Sequence, residues 1–225
     1  MATIYSPNVV TNGLQLCLDA KNTRSYSGTG TSWYDLSGNG RTFTWGSGPS
    51  WNSAGYFNTS GYVATGPASN AININNATGY TIFTIFQTNT GTSNALFKVY
   101  GSGGLSRGIF CHPSWTVGII YFDQGGCCGS DTRLTASLPA YNAWTIMALT
   151  SSVTSRKIYI NGALAASTST QAADINLSST AMQINPSDES YNWDGKLAYF
   201  SIYNREISET EYLQNYSALR DRFAI

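Results

Sequence analysis

The sequence predicts an all-β protein: two antiparallel sheets packed as a sandwich, closed by one short C-terminal helix. Three observations carry this. Short apolar or alternating runs recur between Gly, Asn, Ser and Pro, as many strands with tight turns require. An Asn-Gly pair sits between two β-prone runs at 157–164. A helix-start signal occurs only once, near residue 208.

Bulk composition agrees. The 225 residues suit one domain, here taken as 1–225. Charged residues make up 11%, against roughly 25% in an average soluble domain. Ser, Thr, Asn and Gly fill the gap. Fifteen Tyr, nine Phe and six Trp argue against a disordered chain, because disordered segments lack the aromatics needed to offset ordering entropy.

The elements follow in order. Leu14 to Leu18 alternates and reads as a strand. Tyr80 to Phe86 carries apolar residues on both faces, as a central strand does. Ala95 to Tyr100, Leu105 to Cys111 and Trp115 to Phe122 read as further strands. Lys157 to Leu164 is a hairpin, because both Asn161 and Gly162 tolerate the positive φ of a type I′ turn. Trp144 to Thr150 precedes it, and Leu197 to Tyr203 is the last long strand. Ser208-Glu209-Thr210-Glu211 forms a capping box. Tyr212, Leu213, Tyr216 and Leu219 then give one apolar helical stripe, and Arg220-Asp221-Arg222 ends it with cations at the negative pole.

Several function classes are disfavoured. Formal net charge is zero, with no Lys/Arg cluster, so nucleic-acid binding is not expected. No apolar run is long enough to span a bilayer as a helix, so no membrane insertion is expected. Met1 to Val10 lacks a basic stretch followed by an apolar core. That fits a mature secreted chain, or a phage protein assembled in the host cytoplasm. Cys17 sits among alternating leucines and reads as a core residue. Cys111 is a candidate to bridge Cys127 or Cys128, and four cysteines allow three full pairings. Zinc is disfavoured, because Cys127 and Cys128 are adjacent and His112 is the sole histidine.

At three places the chain resembles a known family. Asn12 to Ala20 with Ser25 to Gly40 resembles the opening of concanavalin A-like, laminin-G-like jelly-roll domains. Ile158-Tyr159-Ile160-Asn161-Gly162 is similar to their hairpin, and Gly195 to Ser208 to their closing strand and cap. The opening and the Gln214-Asn215-Tyr216 ending resemble versions found in phage virion proteins, marine phages among them. The resemblance implies a concanavalin A-like jelly roll. It also implies a non-enzymatic role as capsid decoration, head fibre or tail appendage. The partners would be other virion proteins, further copies of the chain and host surface polysaccharide. The alternative is a secreted, extracellular carbohydrate-binding module. Family members often carry an acidic DG-x-x-DY segment, where this chain has Phe57-Asn58-Thr59-Ser60-Gly61-Tyr62-Val63. Both acids are missing, so a calcium site of that kind is in doubt and no cofactor is expected.

The family includes glucanases. Retaining glycosidases need two carboxyl groups roughly 5 Å apart, and the laminarinase-type relatives carry them as E-x-D-x-x-E on one strand. Tyr80 to Thr88 and Trp144 to Thr150 contain no acid, so a glycan hydrolase ranks last. Binding remains. Sugar sites join a flat aromatic body to a few placed polar groups. Two stretches have that chemistry, both read as loops. His112 to Trp115 with Tyr121 to Gln124 offers Trp115, Tyr121 and Asp123. Asp188 to Asp194 offers Asp188 and Tyr191. Trp193 is expected to pack the sandwich rim, and Trp33 and Trp144 the core.

Overall fold

A computed structural model describes residues 8–91, 95–102, 104–186 and 193–223, the side chains of 104–107 excepted. Asp188 and Tyr191 lie outside these residues.

Two eight-stranded antiparallel sheets face each other. Sheet A contains β1 (Leu14–Asp19), β4 (Ser50–Asn52), β5 (Tyr56–Asn58), β7 (Tyr80–Thr88), β12 (Trp144–Ser151), β13 (Arg156–Ile160), β14 (Ala163–Thr168) and β16 (Gly195–Tyr203). Its order is β14-β13-β12-β7-β16-β5-β4, with β1 beside the second half of β16. Sheet B contains β2 (Ser32–Trp33), β3 (Phe43–Trp45), β6 (Ala64–Ala68), β8 (Phe97–Gly101), β9 (Gly104–Thr116), β10 (Ile119–Gln124), β11 (Arg133–Ser137) and β15 (Ala181–Ile184). Its order is β11-β10-β9-β8-β15-β6-β3-β2.

The main core lies between the sheets. Ile82, Phe86, Met147, Leu149, Ile158, Phe200 and Ile202 from sheet A meet Phe97, Val99, Ile109, Cys111, Ile120, Phe122 and Ile184 from sheet B. Trp33, Trp45 and Phe57 form an aromatic cluster at one end, with ring centroids 4.9–6.1 Å apart. A second cluster covers the other face of sheet A. There the helix α1 (Glu209–Leu219) lays Tyr212 and Leu219 over Phe83, Ile85, Ile146, Ala148, Tyr159 and Tyr199. Every residue of β7 is therefore buried, which is why its sequence shows no polar alternation.

The capping box is formed. Ser208 Oγ accepts from Glu211 N, and Glu211 accepts from Ser208 N at 2.8 Å. The helical stripe is narrower than the sequence suggests, because Leu213 is exposed and Asn215 is buried in its place. Asn215 Oδ1 accepts from Val10 N at 2.7 Å, and its amide donates to Tyr203 Oη at 3.1 Å. A polar residue there ties the chain start to the helix. The Asn161-Gly162 turn has positive φ at both residues, 47° and 88°.

Two strand readings are corrected. Trp115 to Phe122 is not one strand: β9 ends at Thr116, and the chain turns through Val117 and Gly118, the latter at φ 75°. Trp144 is only partly buried, and packs on the outside of sheet A between Tyr56 and Phe223, at 5.5 and 4.5 Å. Trp33 and Trp193 are buried as expected. The cysteines are free: Cys111 faces the core, while Cys127 and Cys128 are exposed.

Candidate functional site

Alternation along β9, β10 and β11 sends Ile109, Cys111, Ile120, Phe122 and Ala136 into the core. It sends Phe110, His112, Tyr121, Asp123 and Arg133 to the outer face of sheet B. The register aligns them in two rows. Asp123 lies opposite Phe110 on one side and Arg133 on the other, and Tyr121 lies opposite His112.

Three of the residues singled out in the sequence thus meet on one sheet face, and not on a loop. Trp115 is 48% exposed at the end of β9, and its ring meets the His112 ring edge-on at 5.2 Å. Tyr121 donates its hydroxyl to Thr116 Oγ1 at 2.7 Å. Asp123 is 1% exposed. Both of its oxygens are held by Arg133, which donates from Nε and Nη2 at 2.6 Å each. His112 Nε2 stands 3.8 Å from Asp123 Oδ2. Phe122 and Gln124 point away from the site into the core, where Gln124 accepts from Tyr80 Oη at 2.5 Å.

Arg133 was not singled out in the sequence. Its guanidinium lies 4.5 Å from the Tyr121 ring centroid, a cation–π distance. The hydrogen bonds to Asp123 push its pKa up from the ordinary value. A guanidinium has five donors, and the fork to Asp123 uses two. The remaining donors have a fixed orientation, because carboxylate and ring hold the plane from two sides. Asp123, closed off by Arg133, positions the arginine and does not itself face solvent. The arrangement offers a flat apolar ring, a hydroxyl and an oriented cation, which suits recognition of a polar ligand with an apolar face.

Among the described residues, several carboxylates elsewhere are committed to local structure. Glu206 pairs with Lys157 at 2.7 Å, Glu211 with Arg205 and Asp19 with Arg222. Asp35 accepts from the backbone of Cys17, Ser37 and Arg41. The segment that replaces the family's acidic motif does not fit calcium. Thr59 Oγ1 donates to Gly195 O, Thr59 O accepts from Asn185, and Asn58 turns its amide toward Ser50. Among the described residues no group of three or more His, Cys, Asp or Glu could hold a metal ion.

Comparison with known proteins decides the family. The profile described as the concanavalin A-like lectin/glucanases superfamily, of the laminin G type, matches residues 57–211. The chain belongs to this superfamily. No curated protein sequence matches it. Among solved structures, the receptor binding domain of botulinum neurotoxin C/D mosaic serotype superimposes with a TM-score of 0.70 at 14% identity, covering 93% of this chain and 52% of that one. The Botulinum neurotoxin serotype G binding domain gives 0.68 at 17% identity, over 90% and 50%. Trypanosoma rangeli sialidase gives 0.68 at 12% identity, over 95% of this chain and 34% of the enzyme. The chain spans about a third to a half of these structures, and at such identities the likeness is one of fold.

Proposed function

We propose that this member of the superfamily is a non-catalytic adhesion module that binds surface glycans through the outer face of sheet B. The observation that carries the reading is the half-exposed Trp115 beside the Tyr121–Arg133–Asp123 arrangement. A sugar would lie on the Trp115 ring, and Arg133 would donate to its hydroxyl or carboxylate oxygens. Asp123 would hold Arg133 in place, and Tyr121 would support it from below. The fold, shared with receptor-binding domains, fits a carbohydrate-binding role. Asp188 and Tyr191 stay in the proposal as sequence-based contacts.

The test is a glycan array of neutral and acidic polysaccharides probed with the native chain, Trp115→Ala and Arg133→Gln. Trp115→Ala should weaken binding about tenfold, equivalent to about 1.4 kcal/mol, with an unchanged melting temperature. Unchanged binding by Trp115→Ala would overturn the site. Release of reducing sugar from any bound polysaccharide would overturn the non-catalytic part.

For the setting we propose a phage particle, with the module as capsid decoration, head fibre or tail appendage. The support is the resemblance of the Asn12–Ala20 opening and the Gln214–Tyr216 ending to phage virion proteins. Mass spectrometry of purified virions tests it. A copy number in fixed ratio to the major capsid protein is expected. Absence from the particles would leave a secreted glycan-binding module.

A further inference from the structure

The β10–β11 connection carries a feature that glycan binding does not use. Cys127 and Cys128 are adjacent and both exposed, whereas Cys17 and Cys111 are buried. Cys17 is 3.3 Å from the Tyr199 hydroxyl, and burial pushes its thiol up to about 11. Cys111 sits in the core between the sheets. The chain thus separates two inert thiols from two accessible ones.

The accessible pair is held in place. Gly125 N donates to Gly108 O at 2.8 Å before it, and Arg133 N donates to Gly129 O at 2.7 Å after it. Gly129 N also donates to Thr132 Oγ1 at 2.9 Å. Cys128 has φ 78°, although Gly125 and Gly126 next to it also have positive φ. A non-glycine side chain in that region is uncommon, and such outliers cluster where a side chain must be aimed. The interaction with Cys128 pushes the Cys127 thiol up from its ordinary value.

We propose that Cys127 and Cys128 form an oxidisable vicinal dithiol, a modification site whose co-reactant is a small-molecule disulfide. One thiolate attacks oxidised glutathione, forming a mixed disulfide and releasing one reduced glutathione. The neighbouring thiolate then attacks the protein sulfur of that mixed disulfide. An intramolecular Sγ–Sγ bond forms, and a second reduced glutathione leaves. The two thiol protons pass to the departing glutathione sulfurs, so two electrons leave the protein and reduce one glutathione disulfide. Adjacent Cα atoms stand about 3.8 Å apart across a trans peptide, closer than bridged cysteines usually sit. Such a bond is readily reduced, as exposed labile disulfides are. The loop joins the strand of Asp123 to that of Arg133, so the switch lies at the stem of their ion pair.

The experiment treats the folded native chain with excess oxidised glutathione. Intact mass, thiol titration and non-reducing peptide mapping are then read. The native chain should lose the mass of two hydrogen atoms, and a Cys127–Cys128 cross-linked peptide should appear. Dithiothreitol should restore the original mass. Cys127→Ser and Cys128→Ser should each stop at a stable glutathione adduct on the remaining cysteine. A native chain that ends as a glutathione adduct, as a disulfide-linked dimer, or unmodified overturns the proposal. Neither result depends on whether a glycan binds.

Discussion

The Arg133–Asp123 pair predicts an unequal response to losing either partner. Arg133 is 22% exposed and Asp123 1%. Arg133→Met removes the charge but keeps a stem over Asp123, and so strands a carboxylate with almost no access to water, whereas Asp123→Ala leaves a guanidinium that water can reach and that still packs on Tyr121. Removing one member of a buried pair costs about 3–5 kcal/mol when the survivor stays buried. Losing a charge-assisted hydrogen-bond pair whose survivor is solvated costs about 1.5–3 kcal/mol, and exposure of Arg133 puts the expectation at the lower end. At about 2–4 °C per kcal/mol for a domain of this size, Arg133→Met should melt roughly 6–20 °C lower and Asp123→Ala roughly 3–6 °C lower. The double variant should lose much less than the sum of the two losses, because Arg133→Met no longer strands a charge once Asp123 is gone. Calorimetry at pH 7 reads all three. Equal losses, or additivity within about 0.5 kcal/mol, would refute the view that Asp123 is sequestered by Arg133.

Further outcomes follow from the helix and its neighbours. The Arg205 guanidinium, first among the causes, holds the Glu211 carboxyl down to about 2 from its ordinary 4.5. A carboxylate lowered by folding adds stability above its unfolded value and loses it as pH falls through its folded value. The stability gap between the native chain and Glu211→Gln should therefore be full above about pH 4.5 and close by about pH 2, read by denaturant titration across that range. Ser208→Ala removes the cap acceptor of Glu211 N and should cost about 1 kcal/mol, measured by urea unfolding. Gly162→Ala forces a Cβ into φ +88° and to 3.0 Å from Tyr216 Cε1. It should cost about 1–2 kcal/mol, and a neutral result would show that the turn relaxes.

What the sequence revealed depended on whether the deciding contact was local. The Asn161-Gly162 turn and the Ser208–Glu211 cap are each set within a few residues, and both are formed as read. β7 was legible because burial on two faces leaves a run without polar alternation. The β9–β10 turn was not, because Val117 is a β-former and only Gly118 marks the reversal. His112 to Trp115 reads as a loop around Pro113, yet all four residues lie within β9. The register of β9 with β8 ends at the Phe97–Cys111 pair, so a residue lacking N–H breaks no ladder bond on that side. Misplacing the turn turned a sheet face into a loop. Arg133 was missed for a related reason: its role comes from a register set across the intervening connection, which no local pattern encodes. Trp144 was misassigned because an apolar run does not tell which of two hydrophobic layers it feeds.

Exposure separates recognition from structure more sharply than composition does. Tyrosines are abundant, but many are spent on packing: Tyr159, Tyr212 and Tyr216 stack in series at 4.7 and 6.3 Å to seat the helix. Of the six tryptophans, Trp33, Trp45 and Trp193 are almost wholly buried, and Trp51 and Trp144 are partly buried against a core. Trp115 alone is exposed, with Val117 at 71% exposure just beyond it. A large apolar ring left in water forgoes its burial free energy and adds an aggregation hazard. Pairing with β10 is irregular between His112 and Thr116, and there the chain leaves the Trp115 ring exposed against His112, on the face that carries Arg133. If that ring served the fold, replacing it with Ser or Thr would lower the melting temperature. The proposed glycan ligand would give the exposed ring a use, and on that proposal its loss should be felt in binding and not in folding.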